Sequence, residues 1–285
     1  MKKLNWLLLL VGLWLGITAL AWGDELRLEP EVIAPGEVAL ARWIASGPTV
    51  GELRFNDKLI PLEPGEEGGW ALLGLDLGAD PGDYPLRLRL PGGTERPVGT
   101  LKVTAKKRPE ERLTLPKAYV SPQDPAVLQR IERESKLLRQ IFSVRSSVPL
   151  PTAFVLPVGD PMGSPFGLRR ILNGQPRSPH AGVDFRSPRG TVVGAGGAGR
   201  VVFTGDLYYC GLTAIVDHGD GLYSIYCHLE SLDCAPNQTV DLGTPLGRVG
   251  STGRSTGPHL HWGVKLRGDR VDPLALTTLL GGKKS

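Results

Sequence analysis

The sequence predicts a mainly β protein, built as two β parts joined by one helix, and three observations carry that prediction. Short apolar and polar alternations recur in both halves, 38 Gly and 25 Pro punctuate them, and helical spacing dominates one internal stretch only. At 285 residues the chain exceeds one typical domain, so two domains behind a leader are expected. The formal charge is +4; it falls to about +2 without Lys2 and Lys3, too weak and diffuse to argue for a nucleic-acid partner.

Residues 1–23 read as a secretory signal peptide. Lys2 and Lys3 precede an apolar run from Leu7 to Leu20, and Ala19-Leu20-Ala21 offers a small-residue cleavage site. The alternative is an uncleaved membrane anchor, because Trp6, Trp14 and Trp22 lengthen a stretch that is otherwise short for a full span. Either way the remainder is expected outside the cytoplasm, in the periplasm or cell envelope or secreted.

Residues 24–107 are expected to form a β-sandwich-like domain. Leu86, Leu88 and Leu90 alternate with Arg87 and Arg89, as Leu73, Leu75 and Leu77 alternate with Gly74 and Asp76, so each segment reads as one half-buried sheet face. Turn signals at Pro35-Gly36, Asn56-Asp57, Pro64-Gly65, Pro81-Gly82 and Pro91-Gly92-Gly93 set the spacing. With no histidine, cysteine or clustered carboxylate site, this half suits a binding or spacer module.

Residues 108–147 follow as a linker carrying a helix over about 122–143. Val127, Leu128, Ile131, Leu138, Ile141 and Phe142 recur at three- and four-residue steps, and Asp124-Pro125 supplies an N-cap followed by proline. A helix of about five turns is expected to pack between the two β parts; as a coiled-coil seam the stripe is too short. From residue 148 to 285 the pattern returns to β, with a helical stripe again only at Pro273-Leu274-Ala275-Leu276.

Two motif matches fail on context. Gly194-Ala195-Gly196-Gly197-Ala198-Gly199 fits the dinucleotide fingerprint, but a strand-like Arg200-Val201-Val202-Phe203 follows where a helix must begin, so the glycines read as a tight turn. Gly253-Arg254-Ser255-Thr256-Gly257 fits the nucleophile-elbow string, yet Pro258 and a β-like run come next. Cys227 beside His228 invites a cysteine-protease reading, which strand alternation opposes. Cys210, Cys227 and Cys234 include no C-x-x-C pair, and export permits one disulfide. A hairpin over His218-Gly219-Asp220-Gly221 favours Cys210 with Cys234; three small buried side chains are the alternative.

The chemistry concentrates in five histidines, all between residues 180 and 261. In Gly257-Pro258-His259-Leu260-His261-Trp262-Gly263 strand alternation puts His259 and His261 on one face. His180 and Asp184 form an H-x-x-x-D pair on a loop entering a strand, and His228 lies inside an alternating run. Hydrolytic zinc uses three nitrogen or oxygen ligands and keeps a fourth position for water; His180, Asp184 and one of His259 or His261 supply such a set.

These segments resemble the lysostaphin-type (LytM-like) zinc metalloendopeptidases, which cleave peptide crosslinks in bacterial cell walls. The resemblance covers about residues 159–272: Ser164-Pro165-Phe166-Gly167-Leu168-Arg169 is similar to the strand before the site, His180-Ala181-Gly182-Val183-Asp184 to the H-x-G-x-D motif, Tyr226-Cys227-His228-Leu229 to Y-x-H-L, and Gly257-Pro258-His259-Leu260-His261 to G-P-H-L-H. It implies a C-terminal antiparallel β metallopeptidase domain with a groove, one Zn2+ per chain held by His180, Asp184 and His261, and catalytic roles for His228 and His259. His218 matches a hairpin histidine taken as structural. The implied partner is the peptide stem of peptidoglycan, and the scissile bond is either D-alanyl-diaminopimelate or a glycine bridge. Tyr208, Tyr209 and Trp262 are candidates to border the groove, with a core role equally open to Trp262. Asp233-Cys234-Ala235-Pro236 departs from the family pattern in a loop. The rival reading is a non-catalytic envelope protein that binds and activates a cell-wall amidase, since some relatives have lost their ligands; here none is missing.

Overall fold

The computed structural model describes residues 24–45, 51–114 and 122–281, so the leader reading for residues 1–23 lies outside them. The fold is mainly β. Four sheets account for the strands, and two helices, α1 (Pro125–Ser143) and α2 (Pro273–Leu280), complete the elements among the described residues.

The first half holds two sheets. One orders the strands Glu25–Glu29, Val38–Ile44, Gly68–Gly74 and Glu63–Gly65; the other orders Val32–Ile33, Glu95–Val103, Gly82–Arg89, Glu52–Phe55 and Lys58–Pro61. Asn56 and Asp57 both take positive φ, 45° and 60°, and close the tight hairpin between Glu52–Phe55 and Lys58–Pro61, the turn that short polar side chains tolerate best. Pro64-Gly65 is not a turn. It lies within the strand Glu63–Gly65, and the chain reverses one step later.

Half-burial, expected for every strand here, fails for the centre of the first sheet. Ala39, Ala41, Trp43 and Leu73 face the sandwich core with Leu53, Leu86 and Leu101. Val38, Leu40 and Leu72, on the opposite face, join the core of the C-terminal part together with Leu77. A sheet covered on both sides reads as a continuous apolar run, and Val38-Ala39-Leu40-Ala41 and Ala71-Leu72-Leu73 are such runs. Polar contacts follow the same seam. Arg270 pairs with Asp76, Lys58 Nζ reaches Asp269 Oδ2 at 2.6 Å, and Arg267, itself paired with Asp220, donates to Leu72 O at 2.8 Å.

The α1 helix begins where its cap predicts: Asp124 accepts from Ala126 N at 2.8 Å and Pro125 occupies the first turn. It is not wedged between the two parts, as none of its residues is buried. It lies against the C-terminal part, with Arg130 on Asp206, Glu134 on Tyr208 N and Phe142 edge-on to Tyr223 at 5.4 Å. The segment read as linker also contains a strand, Glu110–Leu113, which pairs in parallel with Arg169–Leu172.

Nine strands form the C-terminal sheet. Its path runs Gly182–Phe185, Leu260–Leu266, Leu222–Leu232, Gly211–Asp217, Gly199–Leu207 and Thr239–Val240, with Val192–Gly194, Pro245–Val249 and Asp269–Val271 attached. The glycine run 194–199 is a strand-to-strand connection, as its β context requires. Trp262 is core, 0% exposed and stacked on Phe154 at 5.8 Å. Cys210, Cys227 and Cys234 are free thiols. Cys210 does not meet Cys234: Gly211, at φ 62°, turns the chain so that Cys210 O accepts from His228 N at 2.7 Å, and the buried Cys227 thiol has Cys210 as its hydrogen-bonding neighbour.

His218 is fully buried in the hairpin connection, its Nδ1 2.7 Å from Ala198 O and its Nε2 2.7 Å from Ser224 Oγ. Burial pushes its pKa down from 6.5 to about 4. The unfolded chain takes up this proton below about pH 6.5 and the folded chain only near 4, so the stability held by the neutral ring is complete above that window and drains as pH falls through it. Denaturant midpoints should drop between pH 6.5 and 4, with a share on the order of 3 kcal/mol from this ring, and His218→Asn should flatten that slope.

Candidate metal centre

Strand register builds the site. Gly182–Phe185 pairs antiparallel with Leu260–Leu266 so that Asp184 sits directly opposite His261, while Val183 sits opposite Trp262. Cross-strand partners share a face, so the polar pair faces the site and Val183 and Trp262 face the core. His180 precedes the strand and is locked at both ends: its N–H donates to Leu168 O at 3.0 Å, and its carbonyl accepts from Gly167 N at 2.8 Å. The segment 163–168 runs alongside as irregular chain rather than strand, with Asp184 N donating to Ser164 O at 2.9 Å; the regular strand starts only at Arg169.

Three ligand-type atoms converge. His180 Nε2 lies 2.9 Å from Asp184 Oδ1 and 2.9 Å from His261 Nδ1, and His261 Nδ1 lies 2.8 Å from Asp184 Oδ1. His180 Nδ1 is 3.0 Å from Pro165 O, which can only accept, so Nδ1 carries the ring hydrogen and Nε2 presents its lone pair to the cluster. Acceptor atoms so close repel one another unless a proton or a cation sits among them. The two imidazoles and one carboxylate are the donor set that suits zinc, and the carbonyl behind His180 is the partner that orients a ligating imidazole.

Electrostatics agree with this donor set. Burial opposes the charge on Asp184, but the His180 and His261 rings overcome it and hold the carboxyl well below the usual range. Burial lowers the His261 pKa, against the pull of Asp184. The Asp184 carboxyl and the His261 ring thereby favour the deprotonated forms that a metal needs. Arg170, on the Arg169–Leu172 strand, brings Nη2 to 3.6 Å from Asp184 Oδ2 and Nε to 3.6 Å from Glu111 Oε2. The sequence offered no signal for Arg170, because its approach depends on strand pairing between residues far apart in the chain.

His228 and His259 lie beside this cluster. Their ring centroids are 4.6 Å apart, and His228 is 6.2 Å from His261. His228 Nδ1 is 2.8 Å from Thr252 O, and His259 Nδ1 is 2.8 Å from Gly257 O and 3.3 Å from Ser255 Oγ. Each carbonyl fixes the hydrogen on Nδ1 and leaves Nε2 as the acceptor. Burial pushes His228 down to about 4, so it is neutral near pH 7. His228 also has φ 64°, a left-handed conformation costly for a side chain of this size. That twist interrupts strand alternation at His228; Cys227, registered opposite His261, has Cys210 and Thr213 as its hydrogen-bonding neighbours.

The family model described as Peptidase family M23 matches residues 178–273. A crystal structure of a putative peptidase M23 from Pseudomonas aeruginosa is 33% identical, covering 86% of this chain and 94% of that one with a TM-score of 0.66. The chain belongs to peptidase family M23. Among curated proteins, the DD-carboxypeptidase/endopeptidase Mpg of Neisseria meningitidis is 36% identical over 115 residues, 40% of this chain and 26% of that protein. The peptidoglycan DD-endopeptidase ShyA of Vibrio cholerae is 39% identical over 97 residues, 34% of this chain and 23% of that protein. The matched part thus spans only about a quarter of each curated relative.

Gly182 packs tightly against the paired strand, since a Cβ there would come within van der Waals overlap of the Trp262 backbone oxygen and lie 2.8 Å from His261 Cε1 and 2.9 Å from His261 Nε2. Gly182→Ala should displace the His261 ring and weaken binding of added Zn2+ about 10- to 100-fold, read by titration against a competing chelator, while the circular dichroism of the sheet persists.

Proposed function

We propose that this chain is a zinc-dependent endopeptidase that cleaves peptide crosslinks of bacterial peptidoglycan in the cell envelope. The observation that carries the reading is the convergence of His180 Nε2, Asp184 Oδ1 and His261 Nδ1 within 2.8–2.9 Å of one another, in a chain of family M23. In this reading those three atoms hold the metal. Residues 148–285 form the hydrolytic unit, residues 24–107 an accessory β module, and residues 1–23 direct export. The relatives named as peptidoglycan endopeptidases support the substrate class.

Zinc held there supplies polarisation of the scissile carbonyl and acidification of a water molecule. The protein's part rests on His228 and His259. With Nδ1 of each directed to a backbone carbonyl, both rings offer Nε2 to take the proton of the attacking water and return one to the leaving amine. Their second task, once protonated, is to hydrogen-bond the oxyanion. His228, kept neutral by burial, suits the accepting role at neutral pH. Arg170 steadies the outer oxygen of Asp184.

The purified protein should contain about one zinc per chain and release products from crosslinked muropeptides. His261→Ala should lose both metal and cleavage, measured by atomic absorption and chromatography of the digest. His259→Ala should keep most of its zinc and lose cleavage by about 100-fold or more; near-wild-type turnover in that variant would refute its assigned role. Zinc present without any cleavage by the wild type would favour a binding role instead.

A further inference from the structure

Two connections pack backbone to backbone beside His228 and His259. Residues 251–257 carry Thr252 and Gly257, whose carbonyls hold the two rings. Residues 208–211 carry Cys210, whose carbonyl accepts from His228 N. Gly211 and Gly253 both have positive φ, 62° and 68°, and a Cβ on Gly253 would lie 2.7 Å from Gly211 Cα, so the two backbones approach too closely there for a side chain. Thr252 Oγ1 ties them further, accepting from Leu212 N at 2.8 Å and donating to Leu229 O at 2.7 Å.

On this unit sits Arg254. Its N–H donates to Tyr209 O at 3.0 Å, and its guanidinium lies over the Tyr209 ring, 4.5 Å from the centroid. Several arginines around it have acidic partners: Arg170 has Glu111 and Asp184, Arg189 has Glu230, and Arg130 has Glu134 and Asp206. Arg254 is exposed, and no carboxylate among the described residues lies within ion-pair distance of it. A guanidinium stacked on an aromatic ring is pre-oriented, so it loses little freedom when its donor edge takes up a planar anion. It stands two residues from the carbonyl that holds His228 and next to Ser255, whose hydroxyl is 3.3 Å from His259.

We infer that Arg254, supported by Tyr209, binds a free carboxylate of the substrate peptide and makes the site selective for acidic stem peptides over their amidated forms. This rests on the peptidase reading and adds a specificity-determining residue to it. The pair Arg254–carboxylate matches planar donor to planar acceptor, and the stem peptides of peptidoglycan carry free carboxyl groups beside the amides that link them. The contact lies away from the scissile amide, so it contributes to substrate binding in ground and transition states alike and acts on KM rather than kcat.

The test uses the full-length protein and a crosslinked stem-peptide dimer prepared with its carboxylates free or as carboxamides. Each is made in a cleavable form and in a form whose scissile amide is replaced by a methyleneamine. Fluorescence anisotropy reads binding of the uncleavable pair, and chromatography reads turnover of the cleavable pair. The free acid should bind about tenfold more tightly than the carboxamide. Arg254→Gln should abolish that preference, raise KM for the free acid by a similar factor and leave kcat within about twofold, while Arg254→Lys should restore part of it. Equal affinity of the wild type for the two forms, no binding of either, or a preference that survives Arg254→Gln would overturn the inference. Acid-selective binding without turnover would uphold it while refuting the peptidase reading, and turnover without selectivity would do the reverse.

Discussion

The antiparallel register between Gly182–Phe185 and Leu260–Leu266 is the constraint on which the site depends. It sets Asp184 opposite His261 and Val183 opposite Trp262, so one pairing both exposes the polar atoms to each other and anchors the strands in the core. A slip of one residue would exchange the two faces. Trp262, fully buried and stacked on Phe154, makes such a slip prohibitive, because truncating an aromatic side chain of that size in a core typically costs about 3–5 kcal/mol. The hydrophobic effect thus positions the polar chemistry.

Around that register, most of the orienting contacts come from backbone carbonyls. Pro165, Thr252 and Gly257 each face an imidazole Nδ1, and all three lie in irregular connections rather than in strands. Carbonyls only accept, so they define the tautomer without adding a titrating group to a site where charge is finely balanced. The left-handed backbone at His228 belongs to the same arrangement. Its N–H and C=O are taken by Cys210 O and Gly250 N, and these bonds offset the cost of the conformation.

The sheet that carries Val38–Ile44 and Gly68–Gly74 links the sandwich to the site-bearing part by contributing to both cores. Arg267, Arg270 and Lys58 close the same seam with charge-assisted contacts. A seam that is apolar in the middle and polar at its margins resembles a stable interface more than a flexible tether.

Much of this was legible in the chain. Alternation and turn residues announced a mainly β fold, Asp124-Pro125 announced the start of α1, and the segments carrying His180, His228, His259 and His261 pointed to one chemical centre. These signals are local: side-chain periodicity, capping chemistry and residue type act within a few positions of where they are written. What the sequence left open was decided between distant segments. Trp262 became core because Phe154 stacks on it, Cys210 met Cys227 rather than Cys234 because Gly211 turns the chain, the strands Val38–Ile44 and Gly68–Gly74 were buried on both faces because a second core forms against them, and Arg170 reached Asp184 through pairing with Glu110–Leu113. Each depends on burial and register, which are properties of packed surfaces, and a linear pattern names the residues that can meet without stating which of them will.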